Sequence, residues 1–445
     1  MATFFFVTTA QVFWSAIHGD GAVYAWIIRE ISVHGIFSQQ LPNFTQTQIF
    51  AEHPYLFFYY SSIFTTLFGF SDLALKIPNY VIAALSVYAI YKICLLRNKD
   101  RTQAQRIGII AAYALILNGA YTLQVSQPSL DPLAQLLALV SMMFLVFYKR
   151  PFYAGLFIGL AFLTKGLELL PNLAALFMLS LCLKRKESFS ELSKSLAYQL
   201  AGLLIPISLW LSFDFLVWDS QWLLTYWHRQ FTERFFNKEN LKTYFDFGIF
   251  LTFLQSYMLE IIILSIGLLK SKTWFRKSDP LFFYFLCYLF FNTLAFLIIK
   301  KDSSQHLTGV LILGSVFVGE YLWEAWQRYE WKGFHPLICI LLLLSLTYWC
   351  VFVIGARKNT DYWNAIKNES VTFDKNQNDT KIVVKDMNRG GYGLFFTAQW
   401  YFFPHKVFFQ SEANERLVNQ DVFIFYGAEG SKLEKAKVTY QPAVF

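Results

Sequence analysis

The amino-acid sequence predicts a mainly α, polytopic membrane helix bundle of about eleven spans, followed by a small soluble α/β domain. Composition is the first reason. Of 445 residues, 56% are hydrophobic and only 15% charged, with a mean hydropathy of +0.39. Soluble domains carry roughly 25% charged residues, so most of this chain needs a solvent that accepts apolar surface. The second reason is that the apolar residues, among them 48 Phe and 13 Trp, run in windows long enough to cross a bilayer. The third is that Lys and Arg gather in short clusters between those windows. Together these exclude a soluble multi-domain enzyme, a disordered scaffold and a secreted disulfide framework.

Along the chain, the expected spans are residues 4–18, 74–96, 107–123, 132–148, 151–163, 167–183, 196–217, 247–269, 280–299, 306–323 and 335–356. Residues 54–70 are apolar and aromatic but short, and are placed at the interface as a re-entrant or surface helix. The first span has no basic segment before it and no small-residue cleavage site before Asp20, so it is expected to be retained. Five cysteines, Cys94, Cys182, Cys287, Cys339 and Cys350, lie in apolar segments without a CxxC pair, and read as small core or lipid-facing residues.

Charge sets the sidedness. With a cytoplasmic amino terminus, the inner segments hold 17 Lys and Arg against 6 acidic residues, and the outer loops hold 9 against 11. That is the positive-inside pattern, and it explains a net charge of +8 without a nucleic-acid partner. Residues 1–356 then form the membrane domain, with outer loops at 19–73, 124–131 and 218–246. Residues 357–445 have 12 Lys and Arg with 10 acidic residues, strand-like runs at 381–385, 406–409 and 422–426, and a turn with three glycines at 388–393. They read as a small α/β domain on the outer side.

Charged groups at a bilayer are costly, so each is a functional candidate. His18-Gly-Asp20-Gly follows the first span, Glu52-His53-Pro54-Tyr55 precedes the aromatic run, and Asp131-Pro132 opens the fourth span. All fall on one face. Carboxylates with a histidine suit a general base and ligands for a divalent cation; equally, Asp131-Pro132 has the form of an N-cap followed by an N1 proline. The basic outer residues Lys165, Arg229, Arg234, Lys300 and Lys301 run against the charge rule. A lipid phosphate would give them a partner, and snorkelling to headgroups is the plainer alternative. Asp214, Glu260 and Glu320 stand near span ends and read as interfacial.

These residues resemble the fold-C polytopic glycosyltransferases. The likeness rests on Asp20 after the first span, Glu52-His53-Pro54-Tyr55, Phe68-Gly69 with Lys76-Ile-Pro78, and Gly159-Leu-Ala-Phe-Leu-Thr-Lys165-Gly166. It points to the branch of dolichyl-phosphate-mannose protein mannosyltransferases and the lipid A aminoarabinose transferase. The resemblance implies transfer of a sugar from a polyprenyl-phosphate carrier to a glycan, lipid or protein acceptor, with inversion. The expected place is the outer face of a bacterial cytoplasmic membrane.

By the same resemblance Asp20 is the base, and Asp131 and Glu52 are supporting or divalent-cation candidates; His53, from its place beside Glu52, and His228, as a substitute for a family histidine, join them as candidates. By that resemblance Lys165 and Arg234 meet the carrier phosphate, and Lys300 and Lys301 are added as phosphate candidates because they are basic residues on the outer face. The sequence departs from the family pattern at three places: Gly21 follows Asp20 where an acid is usual, Tyr55 replaces a second proline, and Phe231 stands where a metal-binding His is expected. A polysaccharide ligase or polymerase would use the same carriers with another loop layout. A transporter would instead place its ionisable residues near the midplane in two similar halves.

Overall fold

The computed structural model describes residue 17 and residues 20–35, 50–116, 118–183, 188–233, 279–299, 308–328, 381–385, 406–409, 421–426 and 433–437. The expected spans at 247–269 and 335–356, and that at 4–18 apart from Ile17, lie outside these. The described helices are α1 (Asp20–His34), α2 (Leu56–Phe68), α3 (Asp72–Arg97), α4 (Arg101–Ile116), α5 (Gly119–Val125), α6 (Asp131–Val146), α7 (Pro151–Lys165), α8 (Leu170–Leu183), α9 (Phe189–Trp218), α10 (Gln221–Trp227), α11 (Pro280–Ile299) and α12 (Thr308–Arg328).

Local chemistry starts and stops these helices. Ser71 caps α3 by accepting the Ala74 N–H at 3.1 Å, with Asp72 in the first turn and Arg97 in the last. Ser188 caps α9 by accepting the Glu191 N–H at 3.3 Å. Pro151 opens α7, and Gly166 closes it at φ +68°, a conformation side chains disfavour. Residues 107–123, expected as one span, are divided between α4 and α5. The Asn118-Gly119 step explains the break: Asn118 Oδ1 accepts the Tyr121 N–H at 2.9 Å and starts a new helix.

The first outer loop, expected as loop, carries the 15-residue helix α1. Its Ala22, Ala25, Trp26 and Arg29 recur at helical spacing and are buried. The 13 residues of α2 reach only about 20 Å at 1.5 Å per residue, too short to cross. This helix buries Phe57 and Phe58 and leaves Ile63, Leu67 and Phe68 exposed, as an interfacial helix would. Among the described residues, Asp72–Arg97 and Phe189–Trp218 are each long and apolar enough to cross a membrane, and Pro151–Leu183 is so only as a continuous run, interrupted at Gly166–Leu169.

Helix directions follow from the contacts. A Cβ on Gly155 would lie 2.9 Å from Gln199 Cα, and one on Gly159 would lie 3.2 Å from Leu203 Cα. The register rises together on both helices, so α7 and α9 run parallel, backbone against backbone. The glycines Gly155 and Gly159, four apart, are what allows that approach. Between them the chain must return, and it does: Ser180 Oγ on α8 donates to Gln199 Oε1 at 2.9 Å, the level of Gly155. α7 and α8 are therefore the two arms of a hairpin with the 3-10 turn Gly166–Leu169 at its tip.

α6 runs antiparallel to α7, since Asp131 meets Lys165 and Ser141 Oγ donates to the Ala154 carbonyl at 2.6 Å. The amino-terminal part of α3 joins that end through Asn79, whose amide donates to the Gln127 carbonyl. At the opposite end Arg97 grips Asp279 and Glu320, tying α3 to α11 and α12. Glu320 is thus an ion-pair partner within the bundle, not merely interfacial.

Four strands are described in the carboxyl-terminal region: β1 (Lys381–Lys385), β2 (Lys406–Phe409), β3 (Asp421–Tyr426) and β4 (Leu433–Lys437). They form one sheet in the order β2-β1-β3-β4, with β1 parallel to β2 and β3 and β4 antiparallel to β3. The first three stand at the short apolar runs that read as strand-like in the sequence. β4, with the sequence LEKAK, is too polar to announce itself. The segments joining the strands lie outside the described residues.

Candidate active site

The site is built at the tip of the α7–α8 hairpin. Lys165, the last residue of α7, reaches Asp131 at the start of α6, and its Nζ lies 3.2 Å from Glu168 Oε2. All three side chains are nearly sealed, at 5%, 7% and 9% exposure. Asp131 sits in the first turn of α6, directly after the N-cap position, Leu130. Asp131 is thus engaged in an ion pair at the start of its helix, as a buried lysine needs its charge met.

Asp20 opens α1 beside this cluster. Gly21 lets the helix settle on the loop before α6: a Cβ there would lie 3.2 Å from Gln127 Oε1 and 3.4 Å from Pro128 Cδ. Asp20 has solvent access, yet the atoms around it desolvate its carboxyl. That desolvation, with the charge of Asp131, pushes the Asp20 carboxyl above the usual carboxylate range; Lys165 pulls it back and Glu168 pushes it further up. One turn on, Tyr24 is packed edge-on to His53 at 6.2 Å and against Phe58 at 5.6 Å. Burial and the surrounding Asp20, Asp131, Glu52 and Glu168 charges hold its hydroxyl protonated, well above the usual tyrosine range.

The second wall comes from residues 50–55 and from the segment after α9. Arg229 Nη1 stands 3.9 Å from Glu52 Oε1, and Gln230 Nε2 donates to the Glu52 carbonyl at 2.9 Å. His53 is buried, and His228 is exposed at the start of the π-helical turn His228–Glu233. Tyr226 Oη accepts the Leu167 N–H at 2.7 Å, so this wall also touches the hairpin tip. The structure therefore brings Asp20, Asp131, Lys165, Glu52 and His53 to one end of the bundle. Arg234, Lys300 and Lys301 lie outside the described residues.

Among the described residues no three His, Cys, Asp or Glu side chains are grouped to hold an ion. The reason is visible: Asp131 is answered by Lys165, and Glu52 faces Arg229. Lys165 has partners that the sequence did not foretell. It stands between two carboxylates, so its charge is already engaged before any phosphate arrives.

Sequence reasoning missed Glu168, Tyr24 and Tyr226. Glu168 was counted within an apolar span, although its place three residues after Lys165 on a helical turn was a signal. The tyrosines had no signal in a chain with 25 of them. A cavity of about 490 Å³ lies at the opposite end, lined by Arg97, Asn98, Gln103, Asp279, Glu320 and Glu324, and belongs to the Arg97 clasp.

Fold and site together define a class: the chain is an integral, multi-pass membrane protein with the fold of the fold-C glycosyltransferases. Residues 52–213 match the family described as dolichyl-phosphate-mannose-protein mannosyltransferase. Among solved structures, the chain is similar to ArnT from Cupriavidus metallidurans bound to undecaprenyl phosphate, with a TM-score of 0.66 at 12% identity over 96% of this chain and 92% of that one. The apo state of the same protein gives 0.61 at 12% identity over 96% and 91%. The apo oligosaccharyltransferase of Archaeoglobus fulgidus gives 0.54 at 12% identity over 88% and 61%. No curated protein matches the chain. The resemblance read from the motifs is thus met by a family match over residues 52–213, which hold Glu52, His53, Asp131 and Lys165 but not Asp20, and by a likeness of fold covering 96% of the chain.

Proposed function

We propose that the chain transfers a sugar from a polyprenyl-phosphate carrier to a hydroxyl-bearing glycan, lipid or protein acceptor, on the outer face of a bacterial cytoplasmic membrane. The observation that carries this reading is the placement of Asp20, a carboxyl with solvent access and a raised affinity for protons, beside a lysine-bearing cluster at the end of the bundle that charge assigns to the outside. The similarity to ArnT, a protein solved with undecaprenyl phosphate, supports a carrier of that chemistry.

The reaction is a single displacement with inversion. The acceptor oxygen attacks the anomeric carbon as its proton passes to Asp20; the bond from that carbon to the phosphate oxygen breaks, and the polyprenyl phosphate leaves with the electron pair. A carboxyl raised above its ordinary range is a stronger base than a free aspartate, which suits proton removal near neutral pH. The departing phosphate needs positive charge nearby. Arg229 stands on the wall of the site, and Arg234, Lys300 and Lys301 are the cations the sequence adds on the same face. Lys165 contributes by setting the charge of the cluster, because Asp131 and Glu168 hold its ammonium.

The test is transfer from a short polyprenyl-phosphate sugar donor by the purified full chain in lipid nanodiscs, with release of the polyprenyl phosphate as readout. Activity that vanishes in Asp20→Asn, with the fold retained, is the expected result. A wild-type chain that releases no carrier from any such donor would end this reading.

A further inference from the structure

We propose that Tyr226 is a latch: a positioning residue that joins the wall carrying Arg229 and Gln230 to the hairpin tip carrying Lys165 and Glu168, so that Arg229 meets a carrier phosphate with the charged cluster of the tip held in a fixed place beside it. The inference rests on the transferase reading above and assigns to this site the residue that sets its recognition of the carrier.

The tip needs a latch because of its own geometry. Gly166 stands at φ +68° and ψ −139°, which ends α7 and turns the chain back. The Leu167 N–H is donated across to Tyr226 Oη at 2.7 Å, binding two segments 59 residues apart. There is no slack at the turn: a Cβ on Gly166 would run into the Tyr226 hydroxyl and would lie 3.3 Å from Pro54 Cδ on the neighbouring loop. The tip is therefore held between Pro54 and Tyr226, with Lys165 and Glu168 one residue before and two after the turning glycine.

Tyr226 is itself held firmly. Its ring stacks on Trp222 at 4.7 Å, and Trp222 packs edge-on to Trp210 of α9 at 5.4 Å. Asp214 near the end of α9 accepts the Trp222 and Leu223 N–H groups at 3.2 and 3.1 Å, which fixes the start of α10 after two residues of left-handed backbone, Asp219 and Ser220. One turn beyond Tyr226 come Arg229 and Gln230, the residues that meet Glu52. A rigid path thus runs from α9 through α10 to Tyr226, and from Tyr226 both to the hairpin tip and to residue 52. A tyrosine that only filled space would need its ring; the latch needs the hydroxyl.

Tyr226→Phe separates the two, since it keeps the ring and its stacking. The experiment compares the wild-type and Tyr226→Phe full chains in nanodiscs. It measures hydrogen exchange of the Leu167 amide, binding of a short polyprenyl monophosphate, and kcat and KM for the sugar-loaded donor. The latch predicts that exchange at Leu167 rises about tenfold, the effect of one lost hydrogen bond. Binding of the monophosphate should weaken about five- to tenfold, and KM should rise with kcat within about twofold. Wild-type exchange at Leu167 in the variant overturns the proposal. So does faster exchange with unchanged monophosphate binding, which reduces Tyr226 to a structural contact, and so does a loss confined to kcat. A wild-type chain that binds the monophosphate and transfers no sugar removes the transferase reading while leaving the latch to be read from exchange and binding. A wild-type chain that does not bind the monophosphate removes both.

Discussion

Lys165 and Asp131, 34 residues apart in sequence, meet as a buried ion pair where α6 and α7 end on the same side of the bundle. With Glu168 added, one ammonium serves two carboxylates, and Asp20 feels all three charges.

The first prediction follows from that arrangement. Lys165→Ala leaves two nearly buried carboxylates without a counter-charge, and breaking a buried pair costs about 3 to 5 kcal/mol. Lys165→Ala is therefore expected to lower the thermal unfolding midpoint in detergent sharply, and Lys165→Met combined with Asp131→Asn to recover part of the loss. A Lys165→Ala chain of wild-type stability that has only lost carrier affinity would return Lys165 to direct phosphate binding.

Asp20 gives a prediction about rate. Asp20→Asn removes the proposed base and should lower transfer by about two orders of magnitude or more, with the unfolding midpoint unchanged, because the residue lies at a solvent-accessible helix start. Near wild-type turnover in this variant would exclude Asp20 from the chemistry.

The pH profile offers a sharper check. A base works in its ionised form, so activity should be full above the Asp20 pKa and fall as pH drops through it. Because desolvation and the Asp131 and Glu168 charges raise that pKa, the acid limb of kcat/KM is expected above the range of an ordinary aspartate. Glu168→Gln removes one of the charges that raise it and should move the limb to lower pH. Movement in the opposite direction would show that Glu168 acts mainly by weakening the hold of Lys165.

At the far end of the bundle Arg97 offers a control. Arg97→Ala exposes Asp279 and Glu320 to each other without their shared cation and is expected to cost about 3 to 5 kcal/mol. Arg97→Lys should rescue only part of this, since a single ammonium cannot reproduce a fork that grips two carboxylates. The KM of whatever protein remains folded should match wild type, because these residues lie opposite the site.

The glycine contact gives a prediction of fold. Gly155→Ala forces a methyl into the backbone of Gln199, where its Cβ would lie 2.7 Å from the carbonyl carbon. Overpacking of this kind costs roughly 1 to 3 kcal/mol, and the thermal midpoint should fall accordingly. Unchanged stability would mean that α7 and α9 separate more easily than their contact implies.

What the sequence revealed depended on how rare each signal is in an apolar chain. Charged residues are rare in such a chain and therefore legible: Asp20, Glu52, Asp131 and Lys165 could be assigned to one face from the order of the apolar runs and the charge balance between them. Which of them would pair was not legible, since the Asp131–Lys165 contact depends on α6 and α7 lying antiparallel. Span 280–299 was readable to the residue, because Asp279-Pro280 marks its start. Helix α1 escaped notice because its apolar stripe is short and interrupted by Arg29. Tyr226 was invisible for the opposite reason: its chemistry is common here, and only its position over Gly166 makes it particular.

The hairpin also bears on how the chain enters a membrane. In the proposed topology the tip between α7 and α8 must be carried across the bilayer as the protein is synthesised, and a lone ammonium would resist that passage. Lys165 does not travel alone. Glu168 lies three residues behind it on the same turn, at 3.2 Å, so the tip can cross without net charge. Asp131 has by then already been delivered on α6, and the arrival of the hairpin supplies its counter-ion. The order in which helices leave the ribosome and the order in which the charges of the site are neutralised are thus the same.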